Sequence, residues 1–495
     1  MWSSVQGGQG VPNVGGGAKP QRVRCPVHNL IEFGSTTDPS QKQLELELWR
    51  VIETRPFQRL RRIKQLGFSE FVFPGASHTR FAHSIGVFHV ARQLVGAIRR
   101  SVSDSDEHQV RVAMAAALLH DVGHGMFSHA FERFGEEFDL TMAKHEHVSG
   151  ELIRSSDVAE VLNRRLGRSF ADEVADMINA KQPPNIYASV VSSQFDADRL
   201  DYMQRDRLMT GVRSSDVDAE WLVANLEVGL VNTGSEDGPT GSVETLILGH
   251  KARQTAESYI VSVLHIYQNV YGHRATRGAE TTFFALMCQL KSYCEAGQVS
   301  ATGLPDNHPL VRFMKDPESL ENAIALDDMV FWGALSMLSN SEDDTIKHLA
   351  VRLRDRRLPK CVDIRARVEA DFQPSAREEP AARKERLARI KLICGNVLTA
   401  IEDQHASIPI GERPVITDKY ERSPYRRFDT GRTPVNQLHI RGPGNSVLDM
   451  ATVSAVVAGA EPFNLCRAYV FRDDAASEAM IENIMRTEIG RSIHG

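Results

Sequence analysis

The chain has 495 residues, 42% hydrophobic and 25% charged, with a formal net charge of −6 at pH 7. That length suits one large core plus a smaller second unit, and that composition excludes a disordered or fibrous protein. The acidic balance argues mildly against a general nucleic-acid binder, and six scattered cysteines with no CxxC pair suggest neither a zinc knuckle nor a disulfide framework.

Residues 1–20 are Gly-rich and lack an apolar segment, so a disordered tail rather than a signal peptide is expected there. No apolar run approaches the roughly 18 residues of a membrane span, so a cytoplasmic location without a membrane partner is expected. Residues 21–370 read as a dense, mostly helical body with few strand-like alternations. Within it, Pro56–Gly67 reads as a short helix, with Pro in its first turn and Gly just past its end. A second helix is expected over about 80–100, apolar on two faces and therefore buried. A third, Val112–Leu119, is almost purely apolar. Residues 371–384 carry Pro, Glu and Arg and read as a linker. Residues 385–495 read as a small α+β subdomain. It starts with a helix through Ile401, followed by strands at Gln437–Arg441 and Leu465–Phe471, a turn at 443–445 and a helix over Ala451–Gly459.

The string His120-Asp121-Val-Gly-His124-Gly-Met-Phe-Ser-His129 carries the sharpest chemical signal. An apolar helix runs into a His-Asp pair, and burying an ionised Asp there is costly unless it is paired or metal-bound. Imidazole and carboxylate donors together suit a divalent cation. The glycines allow a sharp turn that returns His124 to the same cavity. His83 follows Arg80 by three residues on one helical face, which sets a candidate ligand beside a guanidinium suited to phosphate. Asp198, Asp201, Tyr202 and Arg205 share a helical stripe. A solvated face with an Asp201–Arg205 pair is the competing reading of that stripe.

Phe57-Gln-Arg-Leu-Arg, Gln65-Leu-Gly, Phe73-Pro-Gly-Ala-Ser-His-Thr-Arg80-Phe-Ala-His83-Ser, the HDxGH string and Asp196-Ala-Asp198-Arg-Leu-Asp-Tyr202 follow one another in order. Together they resemble the HD-domain deoxynucleoside triphosphate triphosphohydrolases, of the dGTPase and SAM-and-HD-domain type, across about 24–300. The resemblance implies a mostly α fold, a helical HD phosphohydrolase core followed by a small α+β C-terminal subdomain. It implies metal ligands His83, His120, Asp121 and Asp198 for a divalent ion (Mn, Fe, Mg, Zn or Ni). His124 and His145 match catalytic histidines, Arg80 and His129 match phosphate contacts, and Gln65 and Leu66 match residues facing the sugar 3′-hydroxyl. Tyr202 and Asp206 match residues closing the sugar pocket, and Tyr271 matches one lining the base side. Glu132 stands where the family commonly has an Asp orienting the catalytic His, and Val263 stands where many relatives have a phosphate-binding Arg.

The activity implied is hydrolysis of a dNTP at the α-phosphorus to deoxynucleoside and triphosphate. The family also implies a nucleotide activator, a homo-oligomer (dimer, tetramer or hexamer) and a possible role in phage defence. Competing readings are an HD hydrolase of another, signalling nucleotide and a nucleotide-sensing regulator.

Overall fold

Leu, Ala and Val recur at helical spacing through much of the chain, and the computed structural model is accordingly dominated by helices. It describes residues 19–180, 184–235, 238–375, 377–425, 437–471 and 475–494, so the expected tail lies outside the described residues up to position 18.

The described chain opens with an antiparallel hairpin, β1 (Gln21–Cys25) and β2 (Asn29–Phe33), turning at Asn29 with φ 57°. Helix α1 (Pro39–Ile52) is capped by Asp38. Then come α2 (Arg80–Ser101), α3 (Glu107–Leu119), α4 (His129–Glu137), α5 (His145–Ser155) and α6 (Ala197–Thr210). Helix α3 starts five residues before the expected Val112, because the Asp106 side chain accepts from the N–H groups of His108 and Gln109. The expected helix at Pro56–Gly67 is shorter than its signals indicate. Arg55–Arg59 is α-helical and Leu60–Arg62 forms a 3-10 turn, after which Lys64 bridges to Thr79 and Gln65 N donates to His78 O. Tertiary partners overrule local propensity there.

A long hairpin not anticipated from the sequence follows, β3 (Leu226–Ser235) and β4 (Gly238–Leu248). Its apolar residues bury mainly at the open end, where Leu226 pairs with Leu248, while Leu230 is exposed, so its alternation is weak. Helices α7 (Arg253–Ile266), α8 (Arg274–Glu295), α9 (Asp328–Leu338) and α10 (Asp344–Arg354) lead to strand β5 (Lys360–Asp363). Helix α11 (Pro380–Gln404), strands β6 (Val415–Arg422), β7 (His439–Arg441), β8 (Val447–Asp449) and β9 (Phe463–Val470), and helix α12 (Ala475–His494) complete the order. The single helix expected over Ala451–Gly459 is two short ones, Met450–Val453 and Ala455–Ala458. They part at Ser454, whose extended backbone lets its side chain cap the second.

The C-terminal strands do not close on themselves. β7 joins β4 in parallel, giving a sheet of order β3-β4-β7-β8, and β9 lies between β5 and β6, antiparallel to both. Buried apolar side chains form separate clusters, one around α2, α3 and α6, another around α8, α9 and α10. The loop from 120 to 128 crosses between them, with Val122 in the first cluster and Met126 and Phe127 in the second. A third cluster lies under α11, α12 and β9.

Strand β9 is pinned to α8 through Tyr469, whose buried hydroxyl donates to Arg274 O at 2.9 Å. Tyr469→Phe removes that bond and should lower unfolding stability by about 1 kcal/mol. The expected readout is a lower urea midpoint with an unchanged slope.

Candidate functional site

The first turn of α2 places His83 fully out of solvent, with Nδ1 2.8 Å from Asp201 Oδ2 and Nε2 2.9 Å from Asp198 Oδ1. His120 closes α3, and its Nδ1 donates to Ala117 O at 2.9 Å. That bond fixes the tautomer and leaves Nε2 buried without a hydrogen-bond partner, 3.3 Å from Asp121 Oδ1 and 3.7 Å from Asp198 Oδ1. Donor atoms of His83, His120 and Asp198 all lie within 4.8 Å of one another. Two imidazole nitrogens, one of them orphaned, and a carboxylate fit a divalent cation. Asp121 borders this group but is shared. Its Oδ2 accepts from Arg80 Nη1, and its Oδ1 lies 3.2 Å from His124 Nε2.

Behind His83 stands a buried network. Arg205 donates to Asp201 from Nε at 2.7 Å and Nη2 at 2.8 Å, and His28 Nε2, from the turn of the β1–β2 hairpin, lies 2.6 Å from Asp201 Oδ1. The Asp201–Arg205 pair is therefore present but buried, not solvated. Burial opposes ionisation of Asp201, but Arg205, His28 and His83 hold its carboxyl well below the usual range. Gly86 makes the room, since a Cβ there would overlap both Asp201 Oδ1 and Arg205 Nη2.

The glycines of the 120–129 string allow close approach as well as the tight turn in which His124 N donates to Asp121 O at 3.1 Å, and neither Gly123 nor Gly125 has a positive φ. A Cβ on Gly123 would overlap Ser149 N and His145 O, and one on Gly125 would overlap the Phe131 ring. The positive φ angles fall instead on Phe127 (53°) and Ser128 (56°). This path stacks the His124 ring on that of His145, with centroids 3.9 Å apart and planes 10° apart. One carboxylate ties the cluster together: Glu132 Oε1 bonds His145 Nδ1, and Oε2 lies 2.7 Å from His129 Nδ1. Burial, Arg80 and His145 push His124 well below its ordinary pKa. Burial also disfavours charge on His145, but Glu132 outweighs it and raises its pKa. The stacked rings thus differ in proton affinity. Asp121, His124 and His145 form a second group with donor atoms within 4.8 Å.

These groups open on a cleft of about 630 Å³. Gln65, Leu66, Tyr202, Asp206 and Tyr271 line it together with Arg80, His129 and Glu132, while His83 lies behind the wall. Gln65 Oε1 is buried and unpaired. Asp206 is committed on both oxygens, to His78 Nε2 at 2.8 Å and to the Tyr271 hydroxyl, which donates at 2.6 Å. Asp206 therefore fixes Tyr271. Val263 is buried in α7 and does not line the cleft.

Sequence reasoning missed the opposite wall, where Asp418, Tyr420 and Arg422 on β6 face Arg277 and Arg133. The period-two spacing of Asp418, Tyr420 and Arg422 was the available signal. It also missed Arg59, which donates to His124 O from both Nη atoms at 2.7 Å.

Residues 80–209 match the HD-domain family. The uncharacterized protein YwfO of Bacillus subtilis is 32% identical over 344 residues, 68% of this chain and 74% of that protein. The deoxynucleoside triphosphate triphosphohydrolase SAMHD1 of Xenopus laevis is 42% identical over 135 residues, 25% of this chain and 21% of that protein. A phosphohydrolase structure from Bacteroides thetaiotaomicron shares the fold, with a TM-score of 0.66 over 92% of this chain and 100% of that one at 22% identity. Among the described residues no helix is long and apolar enough to cross a membrane.

Because Asp201 aims His83, Asp201→Asn should weaken divalent-metal affinity about 10- to 100-fold. Gly86→Ala, which crowds Asp201, should do the same. Chelator competition with elemental analysis reads the effect, and unchanged affinity in both variants removes Asp201 from that role.

Proposed function

The chain belongs to the HD-domain family, and we propose that it is a metal-dependent phosphohydrolase converting deoxynucleoside triphosphates to deoxynucleoside and triphosphate. The observation that carries this reading is adjacency. Asp198 of the cation group and Tyr202 of the cleft lie one turn apart on α6, roughly 6 Å along the axis. Gln65 N also donates to His78 O, two residues before Arg80. A phosphate beside the cation group therefore neighbours the sugar-facing residues, so it is the α-phosphate. The local likeness to relatives named as triphosphohydrolases supports the same reading.

His83, His120 and Asp198, with Asp121 beside them, would hold the divalent cation (Mn, Fe, Mg, Zn or Ni), which when bound supplies Lewis acidity at a phosphate oxygen. Arg80, fixed by Asp121 and by Ser128 Oγ at 2.7 Å, adds positive charge where the phosphate oxygens gain negative charge. Hydrolysis adds water across the bond from the α-phosphorus to O5′: the water oxygen joins phosphorus, and O5′ leaves with a proton. His124, held unprotonated by burial, Arg80 and His145, is the group assigned to accept the water proton. His145 has Nδ1 tied to Glu132, which leaves Nε2 to donate a proton to O5′. Gln65, Leu66, Tyr202 and Tyr271 orient the sugar and base.

The same reading extends to a cytoplasmic homo-oligomer with a nucleotide activator, and to dNTP depletion in phage defence. Under it, activity with mixed dNTPs exceeds the sum of the single activities, with a mass change by light scattering.

Each dNTP, alone and in pairs, incubated with metal-loaded protein should release triphosphate as the inorganic product on ion-exchange chromatography. Pyrophosphate or free phosphate as the sole inorganic product would overturn the reading in favour of another HD chemistry. Asp198→Ala should strip the cation and abolish turnover. His145→Ala and His124→Ala should keep the cation yet lose about 10²- to 10⁴-fold in rate. Near-wild-type turnover in either removes that histidine from the mechanism.

A further inference from the structure

Asp328, the first residue of α9, is fully buried, and its carboxylate is spent on two backbone N–H groups from distant segments. Oδ2 accepts from Lys64 N at 2.9 Å, and Oδ1 accepts from Phe127 N at 2.8 Å. Each donor immediately precedes part of the cleft. Lys64 comes before Gln65 and Leu66. Phe127, strained at φ 53°, comes before Ser128, which accepts from Arg80, and before His129.

We propose that Asp328 is the positioning residue that sets the sugar-facing segment at Gln65 against the phosphate-facing segment at Ser128–His129. This rests on the reading of the cleft as a dNTP site. Neither Asp328 nor Lys64 falls within the segment 80–209 that matches the HD-domain family.

The surroundings show a built device. Arg59 donates to His124 O and, at 3.2 Å, to Leu326 O, so the turn before α9 is stapled to the same loop. Asp327 caps α9 and accepts from Arg62 Nε at 2.5 Å, and Lys64 Nζ is held by Glu70. The charged groups facing Asp328 are thus Lys64, Asp327 and Arg59, with Arg62 beyond them on Asp327. Burial pushes the Asp328 carboxyl up to about 7, against the pull of the two N–H groups. The ionised carboxylate accepts on both oxygens. Once protonated, as pH falls through about 7, one oxygen carries a hydrogen and faces an N–H donor, so one arm opens.

Two experiments test the clamp. The first uses the wild-type chain: peptide-level hydrogen exchange at pH 6 and pH 8, corrected for intrinsic rates. The segment around Lys64 or the one around Phe127 should lose protection at pH 6 while α3 does not, and unchanged protection of both overturns the proposal. The second is a double-mutant cycle of Asp328→Asn with Gln65→Ala, read as kcat/KM for a dNTP with metal content checked. Asp328→Asn should keep stoichiometric metal yet lose up to about a hundredfold, and the double variant should lose less than the product of the two single losses. Strict additivity overturns the proposal. If Asp328→Asn does not fold, the exchange experiment decides. If the wild-type protein hydrolyses no dNTP, the functional reading fails while the exchange result still judges the clamp.

Discussion

A carboxylate taken wholly out of water must be matched group for group, and Asp201 sets that requirement at the centre of this fold. Its two oxygens face an arginine and two histidines drawn from α6, α2 and the turn between β1 and β2. Meeting the electrostatic demand of one buried charge therefore fixes three elements at once. The tautomer of His83 follows, and so does the direction in which its Nε2 points. Gly86 belongs to the same constraint, since no larger residue leaves room for the charge and its arginine.

The machinery described is wider than the segment that carries the HD motifs. Residues 80–209 hold the His83–His120–Asp198 cluster and the stacked histidines, but their setting comes from outside. Arg59 grips the carbonyl of His124, Asp328 bridges Lys64 and Phe127, and Asp418 on β6 receives Arg277 and Arg133 across the cleft. Arg59 and Asp328, far apart in sequence, thus brace one short loop whose own backbone is strained at Phe127 and Ser128.

Much of this was legible in the sequence where chemistry is written as contiguous strings. The His-Asp string, the helix from Arg80 and the stripe from Asp198 to Arg205 read clearly because helical spacing converts directly into a shared face. Other parts were not legible. The close approach of neighbouring chain to Gly123 and Gly125 was one, because it calls for the same residue as the sharp turn that was expected there. The β3–β4 hairpin was missed because its apolar residues gather at one end. Asp328 and His28 act through partners 173 to 264 residues away, and nothing local marks a carboxylate that will meet two distant N–H groups. The second wall was hidden in the same way, since β6 becomes a strand by pairing with β9.

The order of the C-terminal sheet constrains how the protein is made. β9, the last strand synthesised, lies in the middle, between β5 and β6. While the ribosome travels from Asp363 to Phe463, β5 and later β6 wait as open edges, the form of a strand most prone to pair with the wrong partner. The cluster of His83, His120 and Asp198 is complete by Asp198, long before the wall on β6 can be fixed in place. A nascent chain therefore completes the His83–His120–Asp198 cluster before it can close the cleft beside it, and one that stalls short of Phe463 keeps that cluster but never builds the shelter around it.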